Sequence, residues 1–247
     1  MVRALGRIRD FSSPDQLSST ATAWHLGKGL VLTAGHTLTP IGDDGRKTFY
    51  SEWSGDPKKI AIDFGDPSEV PNFVGPRGYF DPMGFRAPVP GDGGPYTVKQ
   101  VITAKYTADP GQDYAILQLA PPWPKASIEV GDGVEVSKGD EVLLLGFNGG
   151  IELQAKEGVI LDPEGSFFGF SAESITGFSG GPVIHVKSGK AIAIHHGRVG
   201  IPNPNYNPEL RGSGSPDAYP MTSMAIAHSL RRIPEISLCR RLLSSQN

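Results

Sequence analysis

Three short stretches of the sequence carry side chains that together could activate a hydroxyl group. His36 ends an apolar run beside a glycine, Asp113 opens the run Asp113–Leu119, and Ser179 lies among glycines. Histidine is the side chain best suited to accept a proton near neutral pH, and a buried carboxylate can fix its tautomer. Each residue alone has an ordinary structural interpretation, as a strand-capping histidine, a turn acid and a turn serine. Together they supply the base, the orienting acid and the nucleophile that serine catalysis requires.

The serine stretch could also supply backbone donors. Gly177, and the two glycines that follow Ser179, allow backbone angles that side chains forbid. Such a turn can aim its N–H groups inward, and an acyl-transfer enzyme needs N–H donors about 3 Å from the position where an oxyanion forms. The alternative interpretation is a glycine-rich hairpin turn that contains an incidental serine.

Composition favours a β-rich globular chain. The 247 residues, 38% of them hydrophobic, are enough to bury a substantial core. The 32 glycines and 22 prolines are many for a helical protein, and they indicate short strands joined by turns. The formal net charge is −3 with no block of like charges, which argues against a nucleic-acid partner. No apolar run approaches the roughly 20 residues of a membrane span, so no membrane partner is expected.

A single cysteine, Cys239, excludes an internal disulfide and favours a reducing compartment. The stretch Met1–Arg7 lacks the apolar core of a signal peptide, so the chain is expected to be cytoplasmic. A regulatory domain or subunit that restrains the chain is a further hypothesis, for which the sequence shows no partner.

Alternating apolar residues predict an all-β fold of two six-stranded antiparallel β-barrels that meet at a cleft, with a C-terminal helix. Residues 1–120 would form the N-terminal barrel, which carries His36 and Asp113. Residues 121–247 would form the C-terminal barrel, which carries Ser179 and ends in the helix.

Two further segments stand apart from the strand pattern. Residues 66–95 show little periodicity and predict a long insertion that could overhang the cleft. The helical spacing of Met224, Ala227 and Leu230 predicts a helix over Met221–Ile233. Residues 236–243 could extend that helix or form a second turn.

Three motifs resemble the signatures of trypsin-like (chymotrypsin-fold) serine proteases: Leu32–His36 (LTAGH), Asp113–Leu117 (DYAIL) and Gly177–Pro182 (GFSGGP). The resemblance extends from about residue 18 to 230. It is closest to the bacterial glutamyl endopeptidase branch, which is poor in disulfides and follows the serine motif with Ile-His-x-Gly, here Ile194–Gly197 (IHHG).

The resemblance implies a role for each residue. Ser179 would attack the scissile carbonyl of a protein or peptide substrate, His36 would shuttle the proton, and Asp113 would orient His36. The N–H groups of Gly177 and Ser179 would form the oxyanion hole. Neither a cofactor nor a metal is needed for this chemistry. One departure concerns Phe178, which occupies the place where trypsin keeps an aspartate that pairs with a new N-terminal ammonium after zymogen cleavage. An aromatic ring cannot form that ion pair, so a different activation route is expected.

The sequence leaves the substrate specificity open. His195 and Ser174 match positions at which glutamyl endopeptidases bind a Glu or Gln side chain before the scissile bond. Glu173, by contrast, lies where trypsin keeps the acid that binds Arg or Lys, unless it points to solvent. His196 lies close enough to help bind an acidic substrate group. A second class of function also remains, a pseudo-protease whose cleft holds a peptide strand without cleaving it.

Overall fold

The described residues form twelve β-strands and one α-helix. The computed structural model describes residues 2–10, 21–38, 54–64, 96–107, 112–122, 124–148, 152–164, 167–174, 176–203, 205, 207–210 and 221–244. The predicted insertion over residues 66–95 lies outside these residues. None of the helices in the described part of the chain has the length and apolarity that crossing a bilayer requires.

The first six strands form one antiparallel sheet. They are β1 Leu5–Asp10, β2 Ala21–Gly27, β3 Leu30–Thr33, β4 Ile60–Phe64, β5 Tyr96–Thr107 and β6 Gln112–Leu119. Their order is β1-β2-β3-β6-β5-β4, and β1 also pairs with β4, which closes the sheet into a barrel. The barrel core is apolar because alternate residues of each strand point inward, for example Ile62, Ala115 and Leu117.

The last six strands form the second sheet. They are β7 Glu141–Asn148, β8 Glu152–Asp162, β9 Phe167–Phe170, β10 Pro182–His185, β11 Lys190–Pro202 and β12 Met221–Ser229. Their order is β10-β11-β12-β9-β8-β7, and the pairing of β10 with β7 closes this sheet as well.

One predicted helix is wrong. Met221–Ser229 forms strand β12, which pairs with both β9 and β11. Ala225 and Ala227 are buried, whereas the alternating Met224 and Ile226 are half-buried, so the burial has the period of a strand. The second sheet needs this strand to close, and that requirement overrides the i, i+3 spacing that suggests a helix. The helix, α1, covers Ile236–Ser244 and confirms the expectation of an all-β fold with a C-terminal helix.

The two barrels share a third apolar cluster. It contains Trp24 and Tyr114 of the first barrel, Phe147 and Ile194 of the second, and Cys239 of α1. Since α1 follows the second barrel in sequence but contacts residues of the first, it joins the two sheets. The elements that carry the candidate site meet at this junction, where the Thr22 N–H bonds to the Ser179 carbonyl.

Candidate active site

The side chains of His36 and Asp113 form a hydrogen-bonded pair. His36 lies in the 3-10 turn Gly35–Leu38, directly after β3, and Asp113 is the second residue of β6. The His36 Nδ1 lies 2.6 Å from the Asp113 Oδ2, and the backbone N–H of His36 donates to the Asp113 Oδ1 over 2.7 Å. Because a carboxylate only accepts, Nδ1 carries a proton, and in the neutral imidazole the lone pair is then on Nε2.

Gly35 makes this approach possible. A Cβ at residue 35 would lie 2.0 Å from the carbonyl oxygen of Lys105 in β5. Any other residue would therefore push the turn, and His36 with it, away from the barrel that carries Asp113. The glycine is a positional requirement in this chain.

Asp113 accepts a third hydrogen bond, from a second histidine. The Nδ1 of His196, in β11, bonds to the same Oδ2 that His36 contacts. Asp113 is 1% exposed. Burial by itself would raise its pKa, but the charge of His36 and the hydrogen bonds from His196 and His36 hold the pKa of the carboxyl well below its usual range. Asp113 is therefore ionised at neutral pH.

The loop that carries Ser179 lies against the strand end that leads to His36. Gly180 has φ +84°, and a Cβ there would lie 2.2 Å from the Thr33 Oγ1 and 2.8 Å from the Ala34 backbone nitrogen. The carbonyl of Ser179 accepts a hydrogen bond from the Thr22 N–H of the first barrel over 2.8 Å. These contacts bring the serine of the second barrel to the histidine-bearing edge of the first.

Thr22, in strand β2 of the first barrel, holds the serine loop of the second barrel by hydrogen bonds. Its Oγ1 donates to the carbonyl of Gly177 over 2.8 Å and accepts from the N–H of Phe147 over 3.0 Å. Its own carbonyl accepts from the Thr33 Oγ1 over 2.8 Å. The sequence carries no local signal for this role of Thr22. Threonine is common in alternating strands, and its partner Gly177 lies 155 residues away.

Phe178, the residue between Gly177 and Ser179, is fully buried in the core of the second barrel. Its neighbours in that core include Val183 and Phe170. The loop is therefore anchored by an apolar side chain at the position where the resemblance leads one to expect an acid. This packing agrees with the expectation that no ion pair to an N-terminal ammonium orders the loop.

His195 and Ser174 form a buried polar pair in the second barrel. The His195 Nε2 and the Ser174 Oγ are 2.6 Å apart, and the residues are 1% and 3% exposed. The Phe170 ring meets the imidazole edge to face at 5.9 Å. Burial, with smaller contributions from the charges of His196 and His36, lowers the pKa of His195 to about 3, so the imidazole is neutral at pH 7.

A family comparison agrees with this geometry. The model of the trypsin-like peptidase domain matches residues 21–194, which span both sheets and all three motifs. The chain belongs to the trypsin-like peptidase family.

Solved structures support the fold of the peptidase. It is similar to the serine endoprotease from Yersinia pestis, with a TM-score of 0.54 and 13% identity, over 99% of this chain and 62% of that one. It is also similar to a protease from M. tuberculosis in its active form, with a TM-score of 0.54 and 16% identity, over 92% of this chain and 76% of that one. The chain thus spans less than two thirds of the Yersinia protein. No protein of curated function matches the sequence significantly.

Two of the predicted substrate-binding residues, Glu173 and His196, contact groups outside the Ser174–His195 pair. Glu173 is mostly solvent-exposed, and its Oε2 lies 3.0 Å from the Nζ of Lys156 on the surface. It is therefore not the buried carboxylate that selection of Arg or Lys would need. His196 faces the first barrel and bonds to Asp113, so it does not face the pair formed by Ser174 and His195.

Proposed function

We propose that Ser179 is the nucleophile of this endopeptidase, that His36 is its general base and acid, and that Asp113 fixes the tautomer of His36. The observation that carries the proposal is the buried Asp113, which accepts both the backbone N–H and the Nδ1–H of His36. In the neutral imidazole this arrangement puts the lone pair on Nε2. The Ser179 loop packs against the strand end that leads to His36.

In the proposed reaction, the Ser179 Oγ attacks the scissile carbonyl while its proton passes to the His36 Nε2. The N–H groups of Gly177 and Ser179 receive the negative charge that forms on the carbonyl oxygen. Within the described residues, neither N–H has an acceptor among the backbone hydrogen bonds. His36 then gives the proton to the leaving amine, and water hydrolyses the acyl-enzyme by the same proton transfers in reverse order.

A fluorophosphonate probe, which reacts covalently with activated serines, tests these roles. Labelling of the wild type is expected, together with its loss in Ser179→Ala and His36→Ala. Ser171→Ala is a matched control, because the Ser171 Oγ accepts from the Val159 N–H at the surface. An unlabelled but folded wild type would overturn the assignment, and so would labelling that survives in Ser179→Ala.

We further propose that the enzyme prefers Gln or Glu before the scissile bond. Ser174 and His195 are buried, and both can form hydrogen bonds with an amide or carboxyl group. A neutral imidazole can bind the amide of Gln without a change of charge, whereas Glu would favour a protonated His195. Cleavage of a diverse peptide library tests the preference, and cleavage mainly after Arg or Lys would contradict it.

We propose three further features of this protein. The first is the division into an N-terminal domain (1–120) and a C-terminal domain (121–247), which is supported by strands β1–β6 and β7–β12 forming separate sheets. The second is a cytoplasmic, reducing location, since the chain has a single cysteine, Cys239, and so cannot form an internal disulfide. The third is a regulatory domain or subunit, tested by comparing the activity of this chain alone and in its full-length context.

A further inference from the structure

A second histidine on the catalytic carboxylate creates a set of metal ligands. The Nδ1 of His36, the Oδ2 of Asp113 and the Nδ1 of His196 come from three different elements and lie within 4.8 Å of one another. Two imidazole nitrogens and one carboxylate oxygen are the donors that Zn²⁺ and its neighbours in the first transition row prefer. The catalytic chemistry needs one imidazole on Asp113, so the second is not explained by it.

We propose that a divalent transition-metal ion such as Zn²⁺ binds these three atoms and reversibly inhibits the peptidase. The inhibition rests on the proposed catalytic role of His36, whereas the binding does not. The His36 and His196 rings meet edge to face, with centroids 5.7 Å apart and an interplanar angle of 87°, so both Nδ1 atoms already point to the same oxygen. A lone His–Asp pair would offer two ligands, and His196 adds the third.

Only small movements separate the present arrangement from a metal site. Zn–N and Zn–O bonds of about 2.0–2.2 Å in tetrahedral geometry separate two ligand atoms by roughly 3.3 Å. The His36 Nδ1 and the Asp113 Oδ2 are 2.6 Å apart, so the gap must widen by less than about 1 Å. The side chain of His196 is 27% exposed, which leaves it room to shift and gives water access for a fourth ligand position.

The proton positions explain why binding would inhibit. Both Nδ1 atoms now carry a proton that is donated to Asp113, because a carboxylate only accepts. A metal uses the lone pair of Nδ1, so each imidazole must become the tautomer with its proton on Nε2. Two protons move from Nδ1 to Nε2 through water, and none is lost overall. With a proton on Nε2, His36 cannot accept the proton of Ser179, and the attack on the substrate is blocked.

Metal binding is tested first in the full chain with Ser179→Ala, where activity plays no part. Titration with Co²⁺, a spectroscopic substitute for Zn²⁺, is expected to give d–d absorption that saturates at one equivalent and is displaced by Zn²⁺. Adding His196→Gln should weaken the affinity for Co²⁺ at least tenfold. Glutamine keeps a donor to Asp113 but lacks the imidazole nitrogen that would bind the metal. His185→Gln is the matched control, because His185 lies near Asp140 outside the cluster. Absence of binding, or equal affinity in both variants, would overturn the site.

A second measurement needs no histidine variant. Protons shared between imidazole Nδ1 and a carboxylate give NMR signals far downfield, and one equivalent of Zn²⁺ should abolish those of His36 and His196. If Zn²⁺ binds while these signals persist, the ion occupies another place and the proposal fails.

Inhibition is measured last, on the active enzyme. Zn²⁺ should lower kcat with little change in KM, and a chelator should restore kcat. The Zn²⁺ concentration that halves the rate should be at least tenfold higher for His196→Gln than for the wild type, each measured against its own uninhibited rate. If the fluorophosphonate probe fails to label Ser179 but Co²⁺ binds, the catalytic assignment fails alone. If labelling succeeds and Zn²⁺ neither binds nor inhibits, the metal site fails alone.

Discussion

His195 and His196 are neighbours on β11 that face opposite sides of the strand and differ in almost every physical property. His195 points into the second barrel, where it is 1% exposed, has an apolar ring and a serine hydroxyl as neighbours, and has a pKa lowered to about 3. His196 points toward the first barrel and shares a buried carboxylate with His36. Strand β11 thus places a neutral imidazole in the second barrel and a carboxylate-bound imidazole against the first barrel. The position on the strand, and not the residue type, decides which role each histidine can have.

The largest effect is expected from the group that distinguishes the two environments, Asp113. In Asp113→Asn the amide can donate to the His36 Nδ1, which favours the tautomer with a protonated Nε2. We expect kcat to fall by about 10³–10⁴-fold. Steady-state kinetics checks this, with circular dichroism to confirm that the variant folds. A loss below tenfold would mean that the carboxylate does not orient His36.

Replacing the buried histidine should change selectivity more than turnover. His195→Leu removes the hydrogen-bonding partner of Ser174, and we expect kcat/KM for Gln or Glu substrates to fall by about 10–100-fold. Substrates with small apolar side chains at that position should lose much less. Equal losses for all substrates would indicate that His195 only supports the fold.

Replacing His196 should change turnover more than selectivity. His196→Ala removes one of three donors to Asp113, and we expect kcat to fall by about tenfold with KM nearly unchanged, because substrate contacts are kept. His196→Gln restores a donor and should recover most of the loss. If Gln and Ala behave alike, the hydrogen bond to Asp113 does not position the carboxylate.

The difference in environment should also appear in acid stability. The pKa of His195 is about 3 in the folded state and about 6.5 when unfolded, so the unfolded chain binds the proton first as pH falls. The contribution of His195 to the free energy of unfolding is therefore fully present above pH 6.5 and is lost as the pH falls toward 3. The loss is at most about 1.4 kcal/mol per pH unit.

Urea unfolding at a series of pH values measures that slope, and His195→Leu should reduce it. Burial also lowers the pKa of His25, which accounts for part of the slope that remains. An unchanged slope in His195→Leu would show that this imidazole is not held neutral by the fold.

The smallest effect is expected at the surface ion pair of Glu173 and Lys156. Glu173 pairs with Lys156 in solvent, so Glu173→Gln should change stability by less than about 1 kcal/mol and should leave the preference between acidic and basic substrates unaltered. A peptide library cleaved by both proteins makes the comparison. A switch in preference would return Glu173 to the substrate pocket.

Sequence reasoning reached the parts of this site that have local signals. His36, Asp113 and Ser179 each sit in a short motif at the end of an alternating strand, and such patterns depend on neighbouring residues alone. Thr22 has no such signal, and the sequence predicts a substrate contact for His196 instead of its bond to Asp113. Their partners Gly177 and Asp113 lie 155 and 83 residues away. The strand β12 was mistaken for a helix because closure of the barrel, a long-range requirement, decides its conformation.

The contact between Thr22 and the serine loop ties chemical competence to assembly of the whole molecule. The hydroxyl that steadies the carbonyl of Gly177 belongs to the first sheet, and so does the N–H that holds the carbonyl of Ser179. A chain that is half unfolded, or a C-terminal half separated from its companion, lacks both restraints and also lacks His36. We therefore expect peptidase activity only after the two halves have docked, so that a partly folded chain should not cleave its neighbours.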